Sequence, residues 1–84
     1  MNNTYKKLDN MDTTIRVYCF IVQYVRTRGI PPTQREIADG AFISKGAVLR
    51  HLDRLQMWGY IGRIENATRN IVLTNPAPFA CDGD

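Results

Sequence analysis

Hydrophobic and polar positions along the chain predict three helices followed by a change of period. We expect the first helix to be capped by Asp12 and to be stopped by Gly29 and Pro31-Pro32. Propensity alone would allow a strand over residues 17–25, but the length and the boundaries of the run favour a helix. The apolar residues that recur at helical spacing on its main face are Ile15, Tyr18, Ile21, Val22 and Val25.

Two shorter helices are predicted next. Thr33 and Glu36 have the T-x-x-E spacing of a capping box at a helix start, and we expect Gly40 to interrupt this second helix. Ser44 is the predicted cap of a third helix that runs from Lys45 to about Met57. The predicted buried positions of the third helix are Val48, Leu52 and Leu55.

The pattern after Gly59 is typical of strands. YIGRIE and NIVLT are two short β-type runs separated by Asn-Ala-Thr-Arg, and they predict a hairpin. The order of elements predicts an α+β fold, a winged helix-turn-helix with three helices followed by a two-stranded β-hairpin wing. We expect residues 1–10 to be a flexible N-terminus, residues 11–74 to form the domain, and residues 75–84 to be a flexible C-terminal tail.

Length and charge narrow the class of protein. The chain has 84 residues, enough for one domain, and its 44% hydrophobic and 23% charged residues are ordinary for a globular protein. Its formal net charge is +3, and residues 26–69 hold eight basic and four acidic residues. A basic body suggests a polyanionic partner such as nucleic acid, although many small proteins are mildly basic.

The two cysteines and the apolar runs indicate the cellular compartment of the protein. Cys19 and Cys81 are too few for a disulfide framework and do not form a metal motif. We expect Cys19 to be a small core residue and Cys81 to be a free thiol in a reducing compartment. The longest apolar-rich run, residues 15–25, is shorter than the roughly 20 residues that a membrane span needs. We therefore predict a cytoplasmic protein that does not bind membranes.

The start of the third helix has the features of a helix that enters the DNA major groove. Gly46 and Ala47 are small and would let the helix approach base edges, and the Ser44 hydroxyl could cap the helix or contact a phosphate. Arg50 is the best candidate for reading a guanine, and Leu49 could touch a thymine methyl group. The predicted outward positions are Lys45, Gly46, Leu49, Arg50, Asp53 and Arg54.

Further candidate contacts surround this helix. We expect Lys45 and Arg54 to hold phosphates, although each could be an ordinary surface charge. The start of the second helix could meet the DNA backbone through Thr33, Gln34 and Arg35, where Thr33 also serves as a cap. The hairpin offers candidate contacts near its tip, or a loop that is polar because it faces water. The hairpin candidates are Arg63, Thr68, Arg69 and Asn70.

No constellation of residues indicates catalysis. His51 is the one histidine, and we expect it to fill the edge of the buried stripe. The sequence contains no catalytic triad, no metal-ligand cluster and no glycine-rich phosphate loop, so we predict neither an enzyme nor a cofactor or metal site. We also predict no small-molecule ligand.

The stretch from Gly29 to Thr74 closely resembles the winged helix-turn-helix domain at the N-terminus of LexA-type repressors, and it is similar to MarR-like regulators. The matching pieces are PPT-x-x-EIA, S-x-x-AV-x-x-HL-x-x-L, GYI and TR-x-I-x-L. The resemblance implies a wing tip over Glu65 to Asn70. It also implies that the base-contacting residues are Ser44, Gly46, Ala47, Leu49 and Arg50.

Two departures from that family matter. Its members usually have a leucine and then a glycine in the turn, where this chain has Ala41 and Phe42. We therefore expect a reshaped turn and an early end of the second helix. LexA repressors also continue into a self-cleaving serine–lysine peptidase and dimerisation domain that the sequence does not show. We expect neither self-cleavage nor that route to dimers.

These observations predict a sequence-specific protein that binds double-stranded DNA, a small transcriptional regulator such as a repressor. A homodimer on paired half-sites would extend the few base pairs that one domain reads. A second stripe on the first helix, Val17, Phe20 and Tyr24, could form the dimer face or could be covered by a terminal segment of the same chain. The alternatives are a winged protein-interaction module and a plasmid or phage replication or segregation protein.

Overall fold

Three helices and one antiparallel hairpin form the described part of the chain, which confirms the predicted winged α+β fold. The computed structural model describes residues 2–75 and 81, and the side chains of residues 13–75 and 81. Most of the predicted C-terminal tail therefore lies outside the described residues. The elements are α1 (Asn2–Arg28), α2 (Gln34–Ala41), α3 (Lys45–Met57), β1 (Ile61–Arg63) and β2 (Ile71–Leu73).

Helix α1 begins earlier than the sequence pattern suggested. It starts at Asn2, so residues 2–10, which were expected to be loose, belong to it. The prediction of a cap at Asp12 was wrong because this residue lies inside the helix. No proline or glycine occurs between Asn2 and Arg28, so nothing in that stretch forces a boundary.

The core lies where the three helices meet the base of the hairpin. Helix α3 buries the three predicted residues Val48, Leu52 and Leu55, and it also buries His51. The hairpin (the wing, residues 61–73) pairs Ile61 with Leu73 and Arg63 with Ile71. This register directs one face of the wing into the core, because side chains alternate along a strand. The buried apolar residues of the remaining elements are Val17, Tyr18, Ile21, Ile37, Ala38, Ala41, Ile61 and Ile71.

Helix α2 includes Gly40, which was expected to interrupt the helix. A Cβ atom on Gly40 would lie 2.2 Å from the Phe20 ring, so the glycine lets α1 pack closely against α2. The helix ends one residue later, and Phe42 takes the left-handed conformation at its C-cap, with φ 59°. Phe42 therefore occupies the left-handed C-cap conformation that glycine normally supplies.

The second stripe of α1 is used inside the chain. Val17 is fully buried, and the Phe20 ring covers Gly40. The Tyr24 ring lies under the Arg69 guanidinium, 5.9 Å from its centre. Val17 is therefore unavailable to a second copy of the chain, whereas Phe20 and Tyr24 are half-buried.

The expectation that Cys81 is a free thiol was wrong, because Cys19 and Cys81 form a disulfide. Cys19 is partly buried and packs against the core, as expected. The Cys81 carbonyl also accepts a hydrogen bond from the Gln23 side-chain amide at 3.1 Å, so Cys81 lies along α1. The two cysteines are separated by 62 residues, and neither their count nor their spacing predicts the pairing. Closing a loop of this length typically stabilises a fold by about 2–4 kcal/mol.

Candidate nucleic-acid interface

The first turns of α3 present a small and open surface. The Ser44 hydroxyl accepts a hydrogen bond from the Ala47 amide at 3.1 Å, which confirms it as the helix cap. A Cβ atom on Gly46 would meet nothing closer than the Ser44 hydroxyl at 4.0 Å, so packing does not require a glycine there. Leu49 is 43% exposed. We call this surface the α3 front edge, and it consists of Ser44, Lys45, Gly46, Ala47, Leu49 and Arg50.

Three cations around this edge face solvent. Arg35, at the start of α2, is exposed, and so are Lys45 and Arg50 on α3. Within the described residues, none of the three forms an ion pair with an acidic side chain. Their charges are therefore available to an external anion.

A polar cleft brings together six residues that the sequence singled out. It has a volume of about 470 Å³ and lies between the start of α2, the start of α3 and the tip of the wing. Arg35 and Lys45 contribute cations to the cleft, and the first amides of α2 add the positive end of a helix dipole. The wing contributes Ala67, which sequence reasoning had missed because its side chain has no polar group. The lining residues, which we call the wing cleft, are Thr33, Gln34, Arg35, Lys45, Ala67, Thr68 and Asn70.

Arg54 does not face outward as predicted. Its guanidinium donates to the Thr14 hydroxyl on α1 at 3.1 Å. That hydroxyl is also 2.7 Å from Nδ1 of His51, which is buried as expected. Burial lowers the pKa of His51, and the nearby Arg54, Arg50 and Arg16 lower it further. Arg54 and His51 therefore help to join α3 to α1, and the prediction that Arg54 holds a phosphate loses its geometric basis.

Arg63 also points back into the protein. Its side chain is 22% exposed, and it donates to the Asp53 carboxylate of α3 at 2.9 Å, while Asp53 itself is 70% exposed. This pair ties strand β1 to α3. Arg63 is the last residue of β1, next to the loop at the tip of the wing, but its side chain is directed back to α3.

Arg69 makes four hydrogen bonds to other described residues. Its Nη1 donates to Glu36 Oε1 at 2.8 Å and to the Pro31 carbonyl at 2.8 Å. Its Nη2 donates to Glu36 Oε2 at 3.1 Å, which makes the pair bidentate. Arg69 Nη1 is also 3.4 Å from the Tyr24 hydroxyl. Arg69 was predicted to contact DNA at the wing tip, whereas its guanidinium lies against α2.

The Glu36 carboxylate accepts hydrogen bonds from both Thr33 and Arg69. Its Oε1 accepts from the Thr33 amide at 2.9 Å, and the Thr33 hydroxyl accepts from the Glu36 amide at 3.1 Å. This capping box was predicted from the sequence, but the additional role toward Arg69 was not. The hydrogen bond from Arg69, helped by that from Thr33, lowers the pKa of Glu36 from its ordinary 4.5 to about 2.

The part of the chain that the structure describes contains neither a metal cluster nor a membrane-spanning helix. No group of three or more His, Cys, Asp or Glu side chains there could hold a metal ion. No described helix is both long enough and apolar enough to cross a membrane.

The three helices, the wing and the cationic α3 front edge define a winged helix-turn-helix DNA-binding module. The family described as the LexA DNA-binding domain matches residues 12–70, and the chain belongs to this family.

The relatives that the chain resembles are named LexA repressors. The chain is 43% identical over 61 residues, or 71% of its length, to the LexA repressor of Citrifermentans bemidjiense, of which the match covers 30%. It is 42% identical over 62 residues to that of Myxococcus xanthus, covering 73% of this chain and 28% of the relative. It is 34% identical over 71 residues to that of Leptospira interrogans, covering 84% of this chain and 35% of the relative. The chain thus spans about a third of the length of these relatives.

Proposed function

We propose that the protein binds double-stranded DNA at specific sequences and regulates transcription by occupying its site, as a repressor does. The observation that supports this most strongly is the wing cleft, which joins the starts of α2 and α3 to the wing tip. Residues from three elements line one polar concavity beside the open α3 front edge. A phosphate backbone that followed the cleft would bring base edges to Gly46, Ala47 and Arg50.

Each exposed cation has a distinct role in this proposal. Arg35 and Lys45 line the cleft and neutralise phosphates, which positions the duplex without reading its sequence. Arg50 lies further along α3, where its guanidinium donates two parallel hydrogen bonds to a guanine. The wing contacts the backbone with neutral groups, Thr68 and Asn70.

Two copies on paired half-sites would extend the few base pairs that one domain reads. Because Val17 is buried and Phe20 and Tyr24 are half-buried by contacts within the chain, we propose that pairing forms on the DNA. Analytical ultracentrifugation with and without a duplex carrying two half-sites tests this. A stable dimer without DNA contradicts it.

Selection of bound fragments from a random-sequence duplex library tests the main proposal. We expect the wild-type protein to enrich one sequence. Its affinity for that duplex should fall log-linearly with salt, with a slope of about −0.9 per phosphate neutralised. Lys45→Met should reduce the magnitude of the slope by about 0.9. The matched control Arg26→Met removes a charge that lies beside Leu73 and Asn75, in a different concavity from the wing cleft, and should leave the slope unchanged. Failure to enrich any sequence would contradict the proposal.

A further inference from the structure

Arg69 is held by three separate parts of the fold. Its guanidinium reaches both oxygens of Glu36 in α2, the Pro31 carbonyl before α2, and the Tyr24 hydroxyl on α1. Glu36 and Arg69 keep 35% and 36% of their side-chain surface exposed, so water reaches the pair without separating it. A single side chain of the wing is thereby fixed to the helices on which the wing cleft is built.

The neighbours of Arg69 explain why this anchor matters. Thr68 and Asn70 adjoin it in sequence and line the wing cleft, on the side opposite Thr33 and Arg35. Glu36 belongs to the capping box that sets the start of α2, where Thr33 lies. The bidentate pair therefore links one wall of the cleft to the other, and its length sets the separation of the walls.

The same contacts make Arg69 a poor phosphate ligand. Both of its terminal nitrogens donate to Glu36, and the carboxylate cancels most of the charge that a phosphate would attract. A phosphate that approached Arg69 would also approach Glu36 and be repelled by it.

We propose that Arg69 is a positioning residue, which acts through Glu36 to hold Thr68 and Asn70 at the spacing that a DNA backbone requires. This inference rests on the proposed function. It replaces the expectation that Arg69 clamps a phosphate directly.

A double-mutant cycle tests the proposal on the duplex that the wild type selects. Glu36→Gln keeps an acceptor for the Thr33 amide but loses the ionic pair. Arg69→Met removes the guanidinium and keeps a long side chain, and Arg69→Lys keeps the charge without the bidentate geometry. Arg35→Met is the matched control for a cation that does touch phosphate.

We expect Glu36→Gln, Arg69→Met and the double variant to lose affinity by the same factor, about tenfold, since both residues act as one unit. The salt slope should stay at its wild-type value in Arg69→Met and in the double variant, neither of which has an unpaired guanidinium at the wing, whereas Arg35→Met should reduce its magnitude by about 0.9. Arg69→Lys should restore only part of the affinity. The proposal is overturned if Arg69→Met reduces the slope as Arg35→Met does, or if the two single effects add in the double variant.

A second readout needs no DNA. Amide hydrogen exchange at Ile64, whose amide donates to the Asn70 carbonyl at 2.8 Å across the wing tip, should become about tenfold faster in both Glu36→Gln and Arg69→Met of the free protein. Exchange in the core of α3, measured in the same samples, should change little and shows that each variant is folded. Unchanged exchange at the wing tip overturns the positioning role even in a protein that selects a sequence. Absence of any selection by the wild type contradicts the proposed function instead.

Discussion

The α3 front edge and the wing are similar in sequence, since both offer cations near small or polar residues, but they differ in the folded protein. Lys45 and Arg50 extend into solvent, and no described acidic side chain pairs with either. Arg63 and Arg69 turn back onto Asp53 and Glu36. The free charge is therefore concentrated on the two helices, and the charges of the wing hold the wing in place.

This difference shows that a basic residue at a predicted interface has two possible uses. A cation that faces solvent can neutralise a phosphate, whereas a cation that is already paired with a carboxylate adds little long-range attraction. The division separates the residues that should contact DNA from those that should set the shape of the surface. Each of the following predictions tests one side of this comparison.

Gly46→Glu should have the largest effect on the α3 front edge. The space around Gly46 is open, and an acid in the first turn of a helix is favourable, so the fold should tolerate the change. A carboxylate placed against the duplex should weaken binding by about 100-fold or more, through bulk and like-charge repulsion. Electrophoretic mobility shift and thermal unfolding measure the two effects.

Gly46→Ala serves as the control for this variant. It should raise the free energy of unfolding by up to about 0.5–1 kcal/mol, because glycine is unfavourable in a helix. A loss of stability in either variant would mean that Gly46 is required by packing, and the surface would then not be shaped for DNA.

Arg50→Ala should relax specificity at one base pair. Losing a bidentate contact to guanine should remove about 1–3 kcal/mol of discrimination at that position and leave the other positions as they were. Repeating the selection of duplexes with the variant measures this. An unchanged preference at every position would show that Arg50 holds the backbone.

Phe42→Gly should stabilise the turn that leads to α3. Phe42 is 89% exposed and has a φ of 59°, a conformation that glycine adopts without strain. The substitution should raise the free energy of unfolding by about 1 kcal/mol. Urea denaturation measures the change, and a fall in stability would show that the ring makes contacts that matter.

The smallest expected effect is on the stability of the protein at low pH. The folded pKa of Glu36 is about 2, below its ordinary 4.5, so the stability that it contributes is complete above pH 4.5 and is lost as the pH falls toward 2. Glu36→Gln should therefore lose less stability than the wild type over this window. Urea denaturation at a series of pH values gives the free energy of unfolding of both proteins as a function of pH. Parallel curves for the two proteins would mean that the pair with Arg69 does not form in solution.

Local patterns predicted most of the fold. The capping box at Thr33, the cap at Ser44 and the 3.6-residue period of α3 gave two helices with their bounds nearly correct. The two short β-type runs, YIGRIE and NIVLT, predicted the strands of the wing. These features depend on neighbours in the chain, and so they can be read from a short window of sequence.

The direction of long side chains could not be predicted in this way. Arg54, Arg63 and Arg69 find their acceptors 40, 10 and 33 residues away, on other elements. Each could equally have faced solvent, because its flexible stem lets the charged end reach either side. The disulfide between Cys19 and Cys81 was missed for the same reason, since only the folded chain brings the two together.

A crystal structure of the protein with the duplex it selects is the most direct test of the central claim. The account predicts that Lys45 contacts a phosphate, that the Arg50 guanidinium lies within hydrogen-bond distance of a base edge, and that Arg69 remains paired with Glu36. A duplex bound away from the α3 front edge, or an Arg69 that has left Glu36 to hold a phosphate, would contradict it.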